Sequence, residues 1–217
     1  MKPTDESGSM KIIGITGGAG AGKSTVLQFL AGLPGVRVEE ADRAGHLVME
    51  PGTEAFRKIR EHFGTGILGK DGRIDRPVLS RIVFSDRREL SWLNSVIHPA
   101  VKEWFRRETE KERRKAKIRL FVIEAALLIE DHYEELCEEF WYIYTAPELR
   151  RERLKASRGY PDEKIDSIFR NQQTDAQFRA CCREVIDNSG SPEETLIQVK
   201  RLLKKKGLYE GKGDSYR

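Results

Sequence analysis

Lys11-Ile-Ile-Gly-Ile-Thr16 is followed directly by Gly17-Gly-Ala-Gly-Ala-Gly-Lys23-Ser24-Thr25, and this stretch decides the fold. Its first part predicts a short buried strand, and the apolar residues that follow predict a helix. A glycine loop ending in Gly-Lys-Ser-Thr at such a junction is typical of a phosphate site, because its backbone N–H groups converge on phosphate oxygens. A dinucleotide fingerprint would need glycine where Lys23 stands, so NAD binding is disfavoured. The stretch therefore predicts a site for a nucleoside triphosphate, with Lys23 on the β/γ-phosphates and Ser24 on Mg²⁺.

Short apolar runs alternate with longer amphipathic segments in the rest of the chain, as expected of parallel strands joined by crossover helices. We predict an α/β protein with a P-loop NTPase fold: a five-stranded parallel sheet flanked by helices, with a helical substrate-binding insert and a helical lid. The predicted strands are Lys11–Thr16, Val36–Glu39, Arg119–Ile123, Phe140–Thr145 and Glu184–Ile186.

The second and third strands are separated by a long segment that reads as helical. It contains predicted helices at 53–63, from Asp75 onward and at 86–116. We predict a disordered tail at 1–10, a nucleotide-binding core at 11–50 and 118–204, and a helical insert at 51–117. Within the core, a lid covers about 148–180, and a flexible tail follows at 205–217.

Composition narrows the range of partners. The chain has 39 Lys and Arg against 35 Asp and Glu, a net +4 that suits anionic ligands and is too small to indicate nucleic acid. The longest apolar stretch, 120–129, is too short to cross a membrane, and the polar start has no signal core. Cys137, Cys181 and Cys182 fit neither a disulfide framework nor a zinc site. We expect a cytoplasmic monomer that binds small molecules and neither nucleic acid nor membranes.

Asp42 follows the second predicted strand, and in open α/β sheets the carboxyl ends of strands line the ligand crevice. A carboxylate there can accept a proton from an attacking hydroxyl. The alternative is that Asp42 is the N-cap of a helix beginning near Arg43.

The predicted lid begins with a helix opened by Pro147 and rich in arginine, including Arg153 and Arg158. Gly159-Tyr-Pro161 breaks this helix before another begins at Asp162. Such a hinged pair is typical of a lid that closes over ATP, where an arginine stabilises charge on the transferred phosphoryl group. A surface helix with charge pairs four residues apart is the alternative.

Several blocks of residues together resemble the dephospho-CoA kinase family from about Ile12 to Leu203. These blocks are Thr16–Thr25, Ala41-Asp42, Pro51-Gly-Thr53, His62-Phe-Gly64, Ile82-Val-Phe84, Trp92-Leu-Asn94, His98-Pro99, Leu127-Leu128 with Glu130, and Val185-Ile-Asp-Asn-Ser-Gly190.

The resemblance implies that the protein uses ATP and Mg²⁺ to phosphorylate the ribose 3′-hydroxyl of dephospho-CoA. It implies that Asp42 is the general base and that the helical insert holds the CoA moiety. The implied nucleotide-binding residues are Gly18, Gly20, Ala21, Gly22, Lys23, Ser24 and Thr25, with Asn188 and Gly190 beside the adenine. The implied substrate-side residues are Thr16, Asp42, His98 and Glu124.

The sequence departs from the family pattern at three places. Glu40 and Glu124 stand where the family commonly has Asp. The change at Glu40 leaves the presumed base, Asp42, in place. Glu124 is still expected to hold Mg²⁺ through water. Ser157-Arg158 replaces a usual Arg-Asp pair, so either Arg158 or Arg153 is the candidate for contact with the phosphoryl group. A lone His before Pro, as at His98, also suits a packing role.

Two other classes of protein stay open from the sequence. One is a small P-loop kinase for a different nucleoside or nucleotide acceptor, because loop and lid are shared across that class. The other is a nucleotide-dependent switch or RNA-associated protein, suggested by the basic runs at 113–117 and 204–206. We interpret the first run as a solvated helix face and the second as part of a frayed basic end.

Overall fold

A computed structural model describes residues 10–209. Five strands form a single sheet in the order β2-β3-β1-β4-β5. The strands are β1 (Lys11–Thr16), β2 (Val36–Glu40), β3 (Leu120–Glu124), β4 (Glu139–Tyr144) and β5 (Glu184–Asp187). β1 pairs in parallel with β3 and β4, and β4 pairs in parallel with β5. The predicted five-stranded parallel sheet is therefore confirmed, each strand within one residue at either end.

The central strands are buried on both faces, which is why they read as nearly continuous apolar runs. Ile15, Phe121 and Trp141 are each 0% exposed. Helices α1 (Lys23–Ala31) and α9 (Pro192–Lys205) complete this core, with Leu30 and Leu203 fully buried in it.

Three further helices follow β4: α6 (Pro147–Arg158), α7 (Asp162–Arg170) and α8 (Asp175–Cys181). The predicted helix starts at Pro147 and Asp162 are confirmed. Gly159 ends α6 in the left-handed conformation with φ 61°, which explains why the helix stops there.

The described residues divide into two compact units, one made of 10–38 and 115–209, the other of Glu39–Arg114. The second unit contains α2 (Ala41–Val48), α3 (Glu54–Phe63), α4 (Arg76–Ser85) and α5 (Arg87–Lys115). It has its own buried core of Ile59, Ile67, Leu79, Val83 and Leu93. The three helices predicted in this region are confirmed, with Thr53 and Asp75 as N-caps whose side chains accept backbone hydrogen bonds.

The two predicted tails differ from the structure where it describes them. Met10 is 4% exposed, and Leu208, which belongs to the apolar core beside the sheet, is 7% exposed. Lys206 lies between the carboxylates of Glu139 and Glu184, at 2.7 and 3.0 Å. The remainder of each predicted tail, 1–9 and 210–217, lies outside the described residues. Within 10–209, no helix is both long and apolar enough to cross a membrane.

Candidate active site

The glycine loop connects β1 to α1, as predicted. α1 begins at Lys23, and its N-cap Gly22 has φ 75°, a left-handed conformation that favours glycine. A side chain at Gly22 would also collide with the Asn188 amide, since a Cβ there would lie 2.4 Å from Nδ2. The loop thus needs glycine for both conformation and space, and it leaves backbone N–H groups at a helix N-terminus, where anions bind.

Lys23 and Glu124 lie together at this loop. The Lys23 ammonium donates to the Gly17 carbonyl oxygen at 2.9 Å and lies 3.4 Å from Glu124 Oε1. Glu124 reaches it because β3 pairs with β1 in the register Ile15↔Glu124. The structure thus brings together two residues that the sequence proposed for the same site.

The donor set at this loop fits Mg²⁺ carried by a nucleotide. Ser24 lies in the first turn of α1 and supplies a hydroxyl, and Glu124 supplies a carboxylate. Residues 10–209 contain no cluster of three or more His, Cys, Asp or Glu side chains suited to a metal. Mg²⁺ usually takes one or two protein ligands and keeps waters and phosphate oxygens for the rest, so a sparse set is sufficient.

Arg150 on α6 bonds to the glycine loop, although the sequence argument did not place it in the site. Its Nε donates to the Ala19 carbonyl oxygen at 2.9 Å, and its Nη2 donates to Gln172 Oε1 at 2.8 Å. The same Gln172 oxygen accepts from the Ala19 N–H at 3.2 Å. Burial lowers the pKa of Arg150, opposed by the nearby Tyr142. In the sequence, the i,i+3 spacing of Arg150 and Arg153 could have indicated that both lie on the same side of α6. No sequence pattern indicates that Gln172 contacts the loop.

The two arginines that the sequence named in the predicted lid lie in different places. Arg153 Nη2 donates to the Asn188 carbonyl oxygen at 2.9 Å, and a Cβ at Gly22 would lie 3.2 Å from Arg153 Nη1. Arg158 is exposed at the end of α6, with its guanidinium 5.8 Å from the centre of the Tyr160 ring. Of the two, Arg153 is the one that the structure places beside the glycine loop.

Asn188 and Thr145 both bond to the backbone of the glycine loop at Ala21. Asn188 Nδ2 donates to the Ala21 carbonyl oxygen at 2.7 Å, and its Oδ1 accepts from Thr195 at 2.8 Å. The Thr145 hydroxyl donates to the same Ala21 oxygen at 3.0 Å. The Asn188 side chain is thus engaged with protein atoms, and contact of Asn188 and Gly190 with adenine stays a prediction.

Thr16, the last residue of β1, is 1% exposed, and its hydroxyl has no hydrogen-bond partner among the described residues. A buried hydroxyl without a partner is uncommon. Its predicted role on the substrate side stays a prediction.

Asp42 and His98 belong to the 39–114 unit. α2 begins at Ala41 with Glu40 as its N-cap, so the alternative that Asp42 caps a helix starting near Arg43 is wrong. Asp42 lies exposed in the first turn and makes no hydrogen bond or ion pair with residues 10–209. His98 lies half-buried on α5, directly before Pro99 inside that helix.

The strand order, and the glycine loop that links the central strand to α1, define an α/β protein with the P-loop NTPase fold. A sequence profile of dephospho-CoA kinase matches residues 11–194, and the chain belongs to the dephospho-CoA kinase family. The protein is accordingly a nucleotide-binding kinase of coenzyme A biosynthesis.

Individual relatives agree with this assignment. The dephospho-CoA kinase of Carboxydothermus hydrogenoformans is 37% identical over 196 residues, which cover 90% of this chain and 94% of that relative. The dephospho-CoA kinase of Symbiobacterium thermophilum is 37% identical over 191 residues, covering 88% and 79%.

Solved structures show the same fold. A Thermus thermophilus protein is similar with TM-score 0.70 and 31% identity, over 91% of this chain and 98% of that one. A shikimate kinase from Bacteroides thetaiotaomicron, at TM-score 0.54 and 14% identity, covers 92% of this chain and 100% of its own and is similar in fold alone.

Proposed function

We propose that this protein transfers the γ-phosphoryl group of ATP to the ribose 3′-hydroxyl of dephospho-CoA, giving CoA and ADP. The observation that carries the proposal is the family match over 11–194, which includes a complete phosphate loop with Lys23 and Glu124 side by side. A cytoplasmic location and a monomeric state belong to the same proposal.

The glycine loop and Lys23 bind the triphosphate. The backbone N–H groups at the start of α1 point to phosphate oxygens, and the Lys23 ammonium neutralises charge on the β- and γ-phosphates. Ser24, with Glu124 through water, would hold Mg²⁺. The ion, when bound, neutralises the charge that develops as the γ-phosphoryl group moves.

Asp42 accepts the proton of the 3′-hydroxyl. Its carboxylate is exposed and has no partner among residues 10–209, so it is available to a substrate. A positioned base of this kind contributes about 10²- to 10⁴-fold to the rate. The family resemblance supports this role.

Arg153 stabilises charge on the transferred group. Its position beside Gly22 supports this choice over Arg158, which lies exposed near Tyr160. Arg150 holds the loop through Ala19 and thereby positions the N–H groups that receive the phosphates.

A coupled ADP-release assay tests the proposal with ATP–Mg²⁺ and four acceptors: dephospho-CoA, adenosine, AMP and shikimate. We expect turnover with dephospho-CoA far above the other three. Turnover of another acceptor with none on dephospho-CoA would refute the proposal. Product analysis should place the new phosphate on the 3′-oxygen.

A further inference from the structure

A polar cavity of about 450 Å³ lies within the 39–114 unit, between the end of α2 and the start of α4. We call it the α2–α4 cavity. Its lining residues are His46, Met49, Glu50, Gly69, Asp71, Arg73, Ile74, Asp75, Arg76 and Pro77. The volume is within the usual range for pockets that bind small molecules.

The α2–α4 cavity continues the face of α2 that carries Asp42. Asp42, His46 and Met49 have i, i+4, i+7 spacing, which puts them in a row on one side of the helix. His46 and Met49 line the cavity, so it begins about one helical turn, or about 5.4 Å, beyond Asp42. A substrate that touches Asp42 with one group can reach the cavity with another.

The acidic residues of the cavity are engaged by the protein itself. Glu50 forms an ion pair with Arg73 at 2.8 Å, and Asp71 Oδ1 accepts from the Arg73 N–H at 3.1 Å. Asp75 is the N-cap of α4, where its Oδ1 accepts from the Val78 N–H at 3.1 Å. The Arg73 guanidinium thus offsets the charge of Glu50, whereas Asp71 and Asp75 keep their charge and bond to backbone N–H groups.

Arg76 is the lining cation that these bonds leave available. It is the first residue of α4, it is exposed, and it makes no ion pair or hydrogen bond through its side chain with residues 10–209. A guanidinium group suits phosphate because it donates two parallel hydrogen bonds.

We propose that the α2–α4 cavity binds the 5′-diphosphate of the acceptor and that Arg76 is the residue that recognises it. The proposal rests on the function proposed above, in which Asp42 contacts the ribose 3′-hydroxyl. In a nucleotide, that hydroxyl and the first 5′-phosphorus are separated by C3′, C4′, C5′ and O5′, a span comparable with one helical turn of about 5.4 Å. The ribose thus bridges Asp42 and the cavity, and the site selects an acceptor with a 5′-diphosphate over one without it.

Steady-state kinetics with dephospho-CoA test this inference on Arg76→Lys, Arg76→Gln and Arg76→Glu. We expect the KM for dephospho-CoA to rise about 10- to 100-fold in Arg76→Gln, as expected when hydrogen bonds to a charged group are lost. Arg76→Lys should retain part of the affinity and Arg76→Glu should lose more. The KM for ATP and the melting temperature should stay at wild-type values.

Arg81→Gln is the matched control, because Arg81 is an exposed arginine on the same helix and does not line the cavity. It should leave the KM for dephospho-CoA unchanged. Two results would overturn the inference while the proposed function stands. One is a wild-type KM for dephospho-CoA in Arg76→Gln. The other is an equal rise of that KM in all three Arg76 variants, together with a raised KM for ATP. If the wild-type protein does not phosphorylate dephospho-CoA, both fall.

Discussion

At the scale of single residues, two carboxylates hold contrasting positions. Glu124 lies 3.4 Å from the Lys23 ammonium and is only 13% exposed, so its charge has a fixed partner. Asp42 is exposed in the first turn of α2. The first arrangement suits a residue that organises charge around a nucleotide, and the second suits a residue that exchanges a proton with a substrate.

Asp42→Asn should lower kcat by about 10²- to 10⁴-fold, because the amide cannot accept the hydroxyl proton. The KM for ATP and the melting temperature should change little, since Asp42 makes no bond to residues 10–209. Glu40→Gln is the control, because the N-cap Glu40 makes no side-chain capping bond. Near-normal kcat in Asp42→Asn, measured by ADP release, would contradict the proposed role.

Arg150→Met should raise the KM for ATP about 10-fold or more, because the loop loses a charged hydrogen bond at Ala19. Gln172→Ala should have a smaller effect in the same direction, and the double variant should be less than additive, since both side chains meet at Ala19. Arg151→Met is the control on the same helix, because Arg151 pairs with Asp162 and Asp166 instead. Additive effects would show that the two residues act independently.

The sequence predicted some of these residues and missed others for a physical reason. Lys23 was predictable because the glycine-loop motif fixes its position along the chain, and Glu124 was implied by the family resemblance. The roles of Arg150 and Gln172 depend on how α6 and α7 pack against the loop, and no local pattern encodes that packing. Asp42 was mistaken for a possible N-cap because a shift of two residues in a helix start has no clear signal.

At the scale of elements, ion pairs connect the segment that follows α9 to the sheet. Lys206 follows α9 and lies between Glu139 of β4 and Glu184 of β5, and the Lys206 and Glu139 side chains are 11% and 10% exposed. Burial raises the pKa of Glu139, but hydrogen bonds from Lys206 and Trp141 outweigh it and leave that pKa below its usual value. Burial likewise lowers the pKa of Lys206, and its bonds to Glu139 and Glu184 leave it raised.

Glu139→Gln should lower the free energy of unfolding at neutral pH by about 1 to 2 kcal/mol, because Lys206 loses one of its two carboxylate partners in a partly buried ion-pair cluster. A lowered carboxyl pKa stabilises the fold above its unfolded value of 4.5, and this contribution is lost as pH falls through the folded pKa. The gap between variant and wild type should therefore close in acid. Urea unfolding at neutral pH and below pH 4.5 measures it, and a gap independent of pH would contradict this account.

The elements themselves were largely predictable. Apolar runs identified the strands, and Thr53, Asp75 and Pro147 identified helix starts through their capping and N1 preferences. The packing of Leu208 was missed, because its Lys- and Gly-rich neighbours are typical of a frayed end.

At the scale of the whole molecule, nucleotide binding should raise the free energy of unfolding of the protein. ADP–Mg²⁺ at about 100 times its Kd should add about 2.7 kcal/mol to the free energy of unfolding, because the ligand binds the folded state alone. Thermal melting of the wild type should show a rise of several degrees. Lys23→Ala should melt near wild type without ligand and lose most of the rise with it. An equal rise in both would refute the role of Lys23 at the phosphates.

The strand order has a consequence for how the protein is made. β1 carries the glycine loop, yet both strands that pair with it, Leu120–Glu124 and Glu139–Tyr144, come more than a hundred residues later. At roughly 5–20 residues per second, the ribosome needs about 6 to 26 seconds after completing β1 to synthesise both of them. Until then Ile12, Ile13 and Ile15 of the nascent chain lack the neighbouring strands β3 and β4. Chaperones therefore have this interval in which to bind the exposed apolar side chains.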